Sequence, residues 1–473
     1  MKHAIRKEVL EIIRDGRFRW GGALVLGLLL LSLVAGWAHR AEVSRAHSAA
    51  QEMSWSHWLE QGEKNPHSAA HYGIYVFKPV SSLTLVDQGV DPYLGVSTWL
   101  EAHYQNPFAH RPVQDTPALA RFADLTAATT LQLLLPLLIV LLAFQSFTGE
   151  RERGTLRQVL SLGVPAGRLA LGKVTGVCVA LGLLLVPAAL LGALALFTAG
   201  PGGGAVADPG VRFILLAGAY LAYFLIFSVL AVGISAVASS SRAALAILLV
   251  FWIGNGLLAP RLASDVARSQ VELPSAQEFQ QAIQEDLTEG FGPHPSRDER
   301  RAMLQDSVLQ AHGVESLEEL PFNFAGFSLQ SGEEFANLVF DRRFGELAAR
   351  IEAQSQLHRW IGLGAPHLAI RSLSMALAGT DAAHHERFSS AAEEHRRLIQ
   401  RVLNEDIMEN GVYGETYVAG PDLWSDVPEF EYQGPPVAWA MAGQGAAWGA
   451  LGLWLILGAL LAGRGAVSLR RRT

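Results

Sequence analysis

Residues 125–147 read LTAATTLQLLLPLLIVLLAFQSF, residues 148–172 read TGERERGTLRQVLSLGVPAGRLALG, and residues 173–199 read KVTGVCVALGLLLVPAALLGALALFTA. A membrane-crossing helix needs roughly 20 mostly apolar residues, because every backbone N–H and C=O must be paired inside the helix across the hydrocarbon. The two outer runs exceed that length, and the charged stretch between them belongs in water. The same test selects 20–38, 213–237, 243–259 and 437–463, which makes six spans. The fifth is rich in Ala and holds Asn255, yet the run from Leu248 through Ile253 is too continuously apolar for a loop. Half of the 473 residues are hydrophobic and only 17% are charged, which departs from soluble averages in the same direction. The expected class is a mainly α, polytopic membrane protein.

Basic residues near the ends of the spans set its orientation. Lys2, Arg6, Lys7, Arg14, Arg17 and Arg19 precede the first span, and Arg151, Arg153, Arg157 and Arg168 lie between the second and third. Arg242 lies between the fourth and fifth, and Arg464, Arg470, Arg471 and Arg472 follow the sixth. With six spans all four groups fall on one side, the cytoplasm of a bacterial inner membrane, with both termini inside. The first span has a longer apolar core than a cleaved signal peptide and no following Ala-x-Ala site, so it is read as retained. Before it, Ile5, Val9, Ile12 and Ile13 recur at helical spacing among Arg6, Lys7, Glu8, Glu11 and Arg14. Residues 1–19 therefore read as an amphipathic helix in the cytoplasmic interface, the alternative being a soluble helix packed on a partner.

Three loops then fall outside: an ectodomain at 39–124, a turn at 200–212 holding Gly202-Gly203-Gly204, and a second ectodomain at 260–436. The second is mostly helical. Ser296 with Glu299, and Ser331 with Glu334, fit the capping box, in which Ser and the acid three residues later satisfy free N–H groups of a first turn. These predict helices ending near Gly313 and Gly362, followed by helices over 366–379 and 381–411. The first ectodomain is mixed, with strand-like runs at Tyr75-Val76-Phe77 and Leu83-Thr84-Leu85-Val86, and with Trp55, Trp58 and Trp99 placed to pack or to lie at the headgroups. The only cysteine, Cys178, sits in an apolar run and serves helix packing. No intramolecular disulfide is available to the ectodomains. A net charge of −7, with its basic clusters assigned to membrane flanks, excludes a general nucleic-acid binder.

The stretch from Gly149 to Lys173 carries the functional signal. It places Glu150 and Glu152 before Gly154-Thr155-Leu156, then Leu160, Pro165 and Arg168, and closes on Gly172-Lys173. This pattern resembles the first cytoplasmic loop of ABC-2-type transporter permeases. There a Glu-x-Glu-x-Gly-Thr-Leu run leads into a short coupling helix, and Gly-Lys opens the next span. The resemblance extends to the six spans and the N-terminal interfacial helix, and departs from the simplest members in its two large inserts. Ala365-Pro366-His367-Leu368, Gly379-Thr380-Asp381 and His385-x-x-Phe388 look similar to the second ectodomain of a subgroup serving copper-centre maturation and gliding systems. No substrate follows from that likeness.

The resemblance implies a permease subunit that pairs with itself or a paralogue, sits among membrane lipid, and receives work from a separate ABC ATPase. Glu150, Glu152, Gly154, Thr155, Leu156, Leu160, Pro165 and Arg168 would form the coupling element, and a periplasmic protein is a further candidate partner. ATP would be bound by the partner chain, so no cofactor and no catalytic residue is expected here. A membrane-anchored receptor or scaffold that does not transport is the alternative.

Other motifs fall short. Gly167 through Val174 nearly fits a phosphate-binding loop but ends in Val where Ser or Thr is needed, with no preceding strand. Gly326-Phe327-Ser328-Leu329-Gln330 lacks the last Gly of a nucleophile elbow. His67 and His71 are four apart, as two ligands on one helical face would be, and Asp381, His384 and His385 can share a turn. Without a His-Glu-x-x-His pattern or a Cys pair, they read as solvated or locally hydrogen-bonded histidines. Gln132, Tyr220, Tyr223 and Asn255 are the polar residues within spans, and they read as helix-to-helix bonds.

Overall fold

The computed structural model describes residues 2–115, 126–198 and 205–472. The Gly202-Gly203-Gly204 turn, the last residues of the first ectodomain and the ends of spans two and three nearest them lie outside the described residues. The side chains of Arg470, Arg471 and Arg472 do too.

Among the described residues, six helices are long and apolar enough to cross a membrane. Helix α1 (Lys2–Arg14) precedes them, and a widened turn over Arg17–Gly21 leads into α2 (Gly22–Leu59), the first span. This helix runs about twenty residues past the expected boundary at 38, so the first extramembrane segment begins as its rigid continuation. There follow α3 (Pro66–Tyr72) and an antiparallel sheet of β1 (Ile74–Phe77), β2 (Ser97–Glu101) and β3 (Tyr104–Gln105). Leu83-Thr84-Leu85, expected as a strand, is instead part of a 3-10 turn, Ser82–Leu85. The Ser81 hydroxyl accepts from Leu83 N at 3.2 Å and Thr84 Oγ1 donates to the Ser81 carbonyl at 2.8 Å, and such local bonds compete with strand pairing.

The second span holds α4 (Leu135–Ala143), and the loop after it holds α5 (Thr148–Glu152) and α6 (Thr155–Ser161). Spans three and four are α7 (Ala166–Thr198) and α8 (Pro209–Val237). The fifth is α9 (Ser241–Ile253), continued past a widened turn by α10 (Ala259–Gln270) well beyond the expected end at 259. The second extramembrane segment holds α11 (Ala276–Glu289), α12 (Arg297–His312), α13 (Phe324–Ile361), α14 (Pro366–Ala378) and α15 (Ala382–Asn410). The last span, α16 (Gly445–Arg472), starts later than residue 437, because Val437–Ala442 forms a separate short helix.

Ser296 and Glu299 form their capping box. Ser331 and Glu334 do not cap a helix: α13 starts earlier, at an Asn323 side chain that accepts from Ala325 N at 2.9 Å. The two extramembrane segments share one core. Trp58 is fully buried and donates to the Trp424 carbonyl at 2.9 Å, and Ile74, Val76 and Leu100 pack with Phe388, Ile399 and Leu403.

Helix α14 is buried along most of its length, with Ile370, Leu373 and Leu377 in the same core as the spans. It seats against α8 and α16. The four polar residues noted within spans converge here. Pro136 has no N–H to donate to the carbonyl four residues back, which is that of Gln132, and the Tyr223 hydroxyl donates to it at 3.1 Å. Gln132 Nε2 donates to Tyr220 Oη at 3.0 Å, Tyr220 Oη lies 2.9 Å from Ser374 Oγ, and Asn255 Oδ1 accepts from His367 N at 3.0 Å. They are interhelical bonds, as expected, but two of them end on a helix placed by sequence outside the membrane. Tyr223→Phe is expected to cost about 1 kcal/mol of stability, read as a small fall in thermal midpoint with unchanged expression.

Candidate functional site

The loop between spans two and three turns twice. Gly154 carries φ 76°, a left-handed conformation that other residues adopt only with strain, and it separates α5 from α6. Gly163, at φ 78°, ends α6, and Pro165 precedes α7. Thr155 Oγ1 donates back to the Glu150 carbonyl at 3.2 Å, which closes the first bend.

Beneath this elbow lies an ion cluster. Glu150 is 2% exposed and its Oε1 accepts from Lys7 Nζ at 2.8 Å and Lys173 Nζ at 3.1 Å. Lys173, 3% exposed, also donates to Glu8 Oε2 at 3.0 Å. Two cations thus face two carboxylates, joining α1, the end of span two and the start of span three. Burial pushes the Glu8 carboxyl above its ordinary value, and the Lys173 ammonium works against that shift. Glu8 had been grouped with the polar face of α1; the structure turns it inward. The two helices touch because α7 offers glycines: a Cβ on Gly172 would stand 3.1 Å from that of Ala4, and one on Gly176 2.7 Å from that of Glu8.

A second clamp holds α5 to the turn between spans four and five. Glu152 accepts from Ser241 N at 2.7 Å and Ser241 Oγ at 2.8 Å, at the first turn of α9, where a carboxylate satisfies free N–H groups. Arg151 Nη2 donates to the Ala236 carbonyl at 2.8 Å, and Ser235 Oγ accepts from Phe147 N at 2.9 Å. The segment is therefore fixed to α1 and to spans two through five. It does not hang as a loop.

Of the residues singled out from sequence, Glu152, Gly154 and Arg168 are exposed, Thr155, Leu160 and Pro165 are half-buried, and Glu150 and Leu156 are buried. The inward face of α6, with Leu156, Val159 and Leu160, joins the spans' core. Its outward face presents Arg157, Gln158 and Ser161, and ends on Leu162, a leucine left 80% exposed. Sequence reasoning missed Leu162. The signal was its phase, since it falls one turn beyond Gln158 and opposite Leu156 and Leu160.

A family model described as ABC-2 family transporter protein matches residues 4–297, well over half of the sequence. The chain belongs to the ABC-2 family. A domain of unknown function (DUF3526) matches residues 276–433, so this is an ABC-2 permease with an additional domain. Among curated proteins, none matches the sequence. ABC-2 proteins are membrane subunits of ABC transporters, a family that in general works with an ABC ATPase. The family match spans α1, the ion cluster, the elbow and the first five spans, whereas α13, α14 and α15 fall in the additional domain.

Within this ABC-2 chain the histidine groups part ways. Asp381 caps α15, accepting from His384 N at 3.0 Å and pairing with His384 Nδ1 at 2.6 Å, while Arg212 Nη1 lies 3.3 Å from His384 Nε2. Both ring nitrogens are thus engaged. Burial pushes the His385 imidazole down to about 4, and its ring packs on that of Phe108 at 4.6 Å. His384 is locally hydrogen-bonded, as read from sequence, whereas His385 is held by packing with its Nδ1 unpartnered. His67 and His71, however, are joined by His103, which sequence spacing did not connect to them.

Proposed function

We propose that this ABC-2 chain is the permease half of an ATP-driven transporter, with the outward face of α6 as the docking surface for a separate ATPase subunit. The observation that carries the reading is the exposed Leu162 beside Arg157 and Gln158 on a segment clamped to five other elements. One exposed leucine is ordinary by itself. What supports a dock here is that it closes the polar outward face of α6, in the loop whose sequence resembles the family's coupling element, and a rigid mount lets force on that face reach the spans. In this scheme Glu150, buried, transmits load to α1 and span three, Glu152 transmits it to span five, and Gly154 and Pro165 set the angles of the lever. Leu156 and Leu160 anchor it, and Arg168 flanks the dock.

The basic residues at the ends of the spans support a cytoplasmic location for both termini and the dock, with the shared extramembrane domain on the periplasmic side of an inner membrane. ATP is bound and hydrolysed by the partner, and two permease chains, identical or paralogous, complete the unit. Family membership weighs against a scaffold that does not transport.

The test is co-expression with the cognate ATPase and purification through the permease. Leu162→Asp is expected to reduce the ATPase recovered about tenfold or more without changing yield or thermal midpoint. Arg157→Glu is expected to act in the same direction. Full retention of the ATPase in both variants, or none bound to the wild type, would overturn the assignment.

A further inference from the structure

His67 and His71 lie four residues apart on α3, which places both imidazoles on one face. The helix is pinned: Asn65 Oδ1 accepts from His67 N at 2.9 Å, and Asn65 Nδ2 donates to the Tyr417 carbonyl at 3.0 Å. Against it lies the tight turn between β2 and β3, where Ala102 N donates to the Ala70 carbonyl at 3.0 Å. His103, the other residue of that turn, has φ 66°, a conformation that non-glycine residues hold only when their surroundings enforce it. The three rings form a nearly equilateral group, with centroids 4.8, 5.1 and 5.1 Å apart. One nitrogen from each comes within 4.8 Å of the others.

What enforces His103 is a carboxylate from the additional domain. Glu333, on α13, accepts from His103 N at 2.9 Å and pairs with His103 Nδ1 at 2.6 Å. Its other oxygen accepts from the buried Arg396 at 3.2 Å, so the carboxylate cannot swing away. With Nδ1–H directed at Glu333, the lone pair of His103 Nε2 is left for a ligand. A carboxylate behind an imidazole in this manner fixes its tautomer and ring orientation, which is how metal-binding histidines are commonly supported.

We propose that His67, His71 and His103 form a binding site for a divalent transition-metal ion of the zinc and copper class, with Glu333 as the residue that positions His103. Three neutral imidazoles with no thiolate suit these borderline ions and not calcium or magnesium, which take oxygen ligands. Nitrogen ligands about 2.0–2.1 Å from a tetrahedral ion stand roughly 3.3 Å apart, so closure needs about 1 Å of movement per ring. His71 is exposed and His67 half-buried, which leaves the rings that freedom and the fourth coordination position open to solvent. An open position makes the ion exchangeable. The site joins the two extramembrane segments through the Glu333 contact, and it stands independently of the ATPase dock.

The experiment uses the full chain, purified in detergent through a tag without histidines, stripped with chelator and titrated with ZnCl2 and, separately, CuSO4. Bound metal is measured by equilibrium dialysis with elemental analysis. One equivalent at micromolar or tighter affinity is expected, weakened at least about 100-fold in a His71→Ala, His103→Ala variant. Glu333→Gln, which keeps all three ligands, is expected to weaken binding about 10–100-fold. As exposed His71 carries little of the fold, His71→Ala alone serves as the folding control. Its metal-free thermal midpoint should match the wild type, while the rise on adding ZnCl2 is lost. Equal affinity in the wild type and the double variant, or a ZnCl2-induced rise that survives His71→Ala, would overturn the proposal.

Discussion

Lys173→Met is expected to lower the stability of the purified protein by about 3–5 kcal/mol, the usual cost of removing one partner from a buried ion pair. Glu8 and Glu150 are both inside and both rely on Lys173, and Lys7, half exposed at the rim, pairs with Glu150 and Glu11 but not with Glu8. Deleting the lysine therefore leaves Glu8 without an ammonium. The paired change Glu8→Gln with Lys173→Met restores the balance of one cation to one carboxylate, and is expected to recover more than half of the loss. Denaturant titration in detergent, followed by tryptophan fluorescence, measures both. If the single variant matches the wild type, the cluster does not hold α1 to the spans. The contrast with Leu162→Asp is the useful part: one change should weaken the fold, the other only the dock.

Arg212→Met is expected to cost about 4 kcal/mol or more. The guanidinium is fully buried at the start of span four, and its nitrogens donate to the carbonyls of Ala207 at 2.9 Å, Ala376 at 3.0 Å, Leu377 at 3.3 Å and Pro435 at 2.8 Å. Ala376 and Pro435 keep a backbone donor each, from Gly379 N at 3.3 Å and Ala207 N at 3.3 Å, so the Ala207 and Leu377 carbonyls are the ones that lose theirs, at about 1–3 kcal/mol apiece. Two of the four are the last carbonyls of α14, where a cation also meets the negative end of the helix. Arg212→Lys is expected to fall between wild type and Met, because a single ammonium cannot reach all four acceptors. The checks are the thermal midpoint and limited proteolysis. Cleavage near Gly379 and Thr380 should rise in Arg212→Met well before the spans unfold.

Six spans were legible because their signal is mere length of apolar sequence, and the elbow after span two was legible because Gly154 and Pro165 mark its bends. The ends of spans were less so. The helix of span one runs to Leu59 through Arg40, Glu42 and Arg45, since a helix does not stop where the membrane does. The inward turn of Glu150 was invisible, because an acid in a charged run reads as solvated unless its partners are known, and Lys7 and Lys173 are far away in sequence. The same holds for Glu333. It lay unremarked between Ser331 and Glu334, which were read as a cap, and its partners, His103 and Arg396, come from two other elements. Helix α14 was placed correctly along the chain, but its packing against the spans was not legible, as thirteen residues are too few to span and nothing local reports that a groove awaits them.

That groove bears on how the protein is made. Spans one to five leave the ribosome before residues 366–378 exist, so Tyr220 stands without Ser374, and the Asn255 side chain without the His367 amide, until the later segment has folded back against them. The bundle and the DUF3526 region therefore mature together, and neither is a cassette. Excising residues 276–433 would remove a wall of the membrane bundle along with the domain, and leave the Tyr220 and Asn255 side chains without their partners.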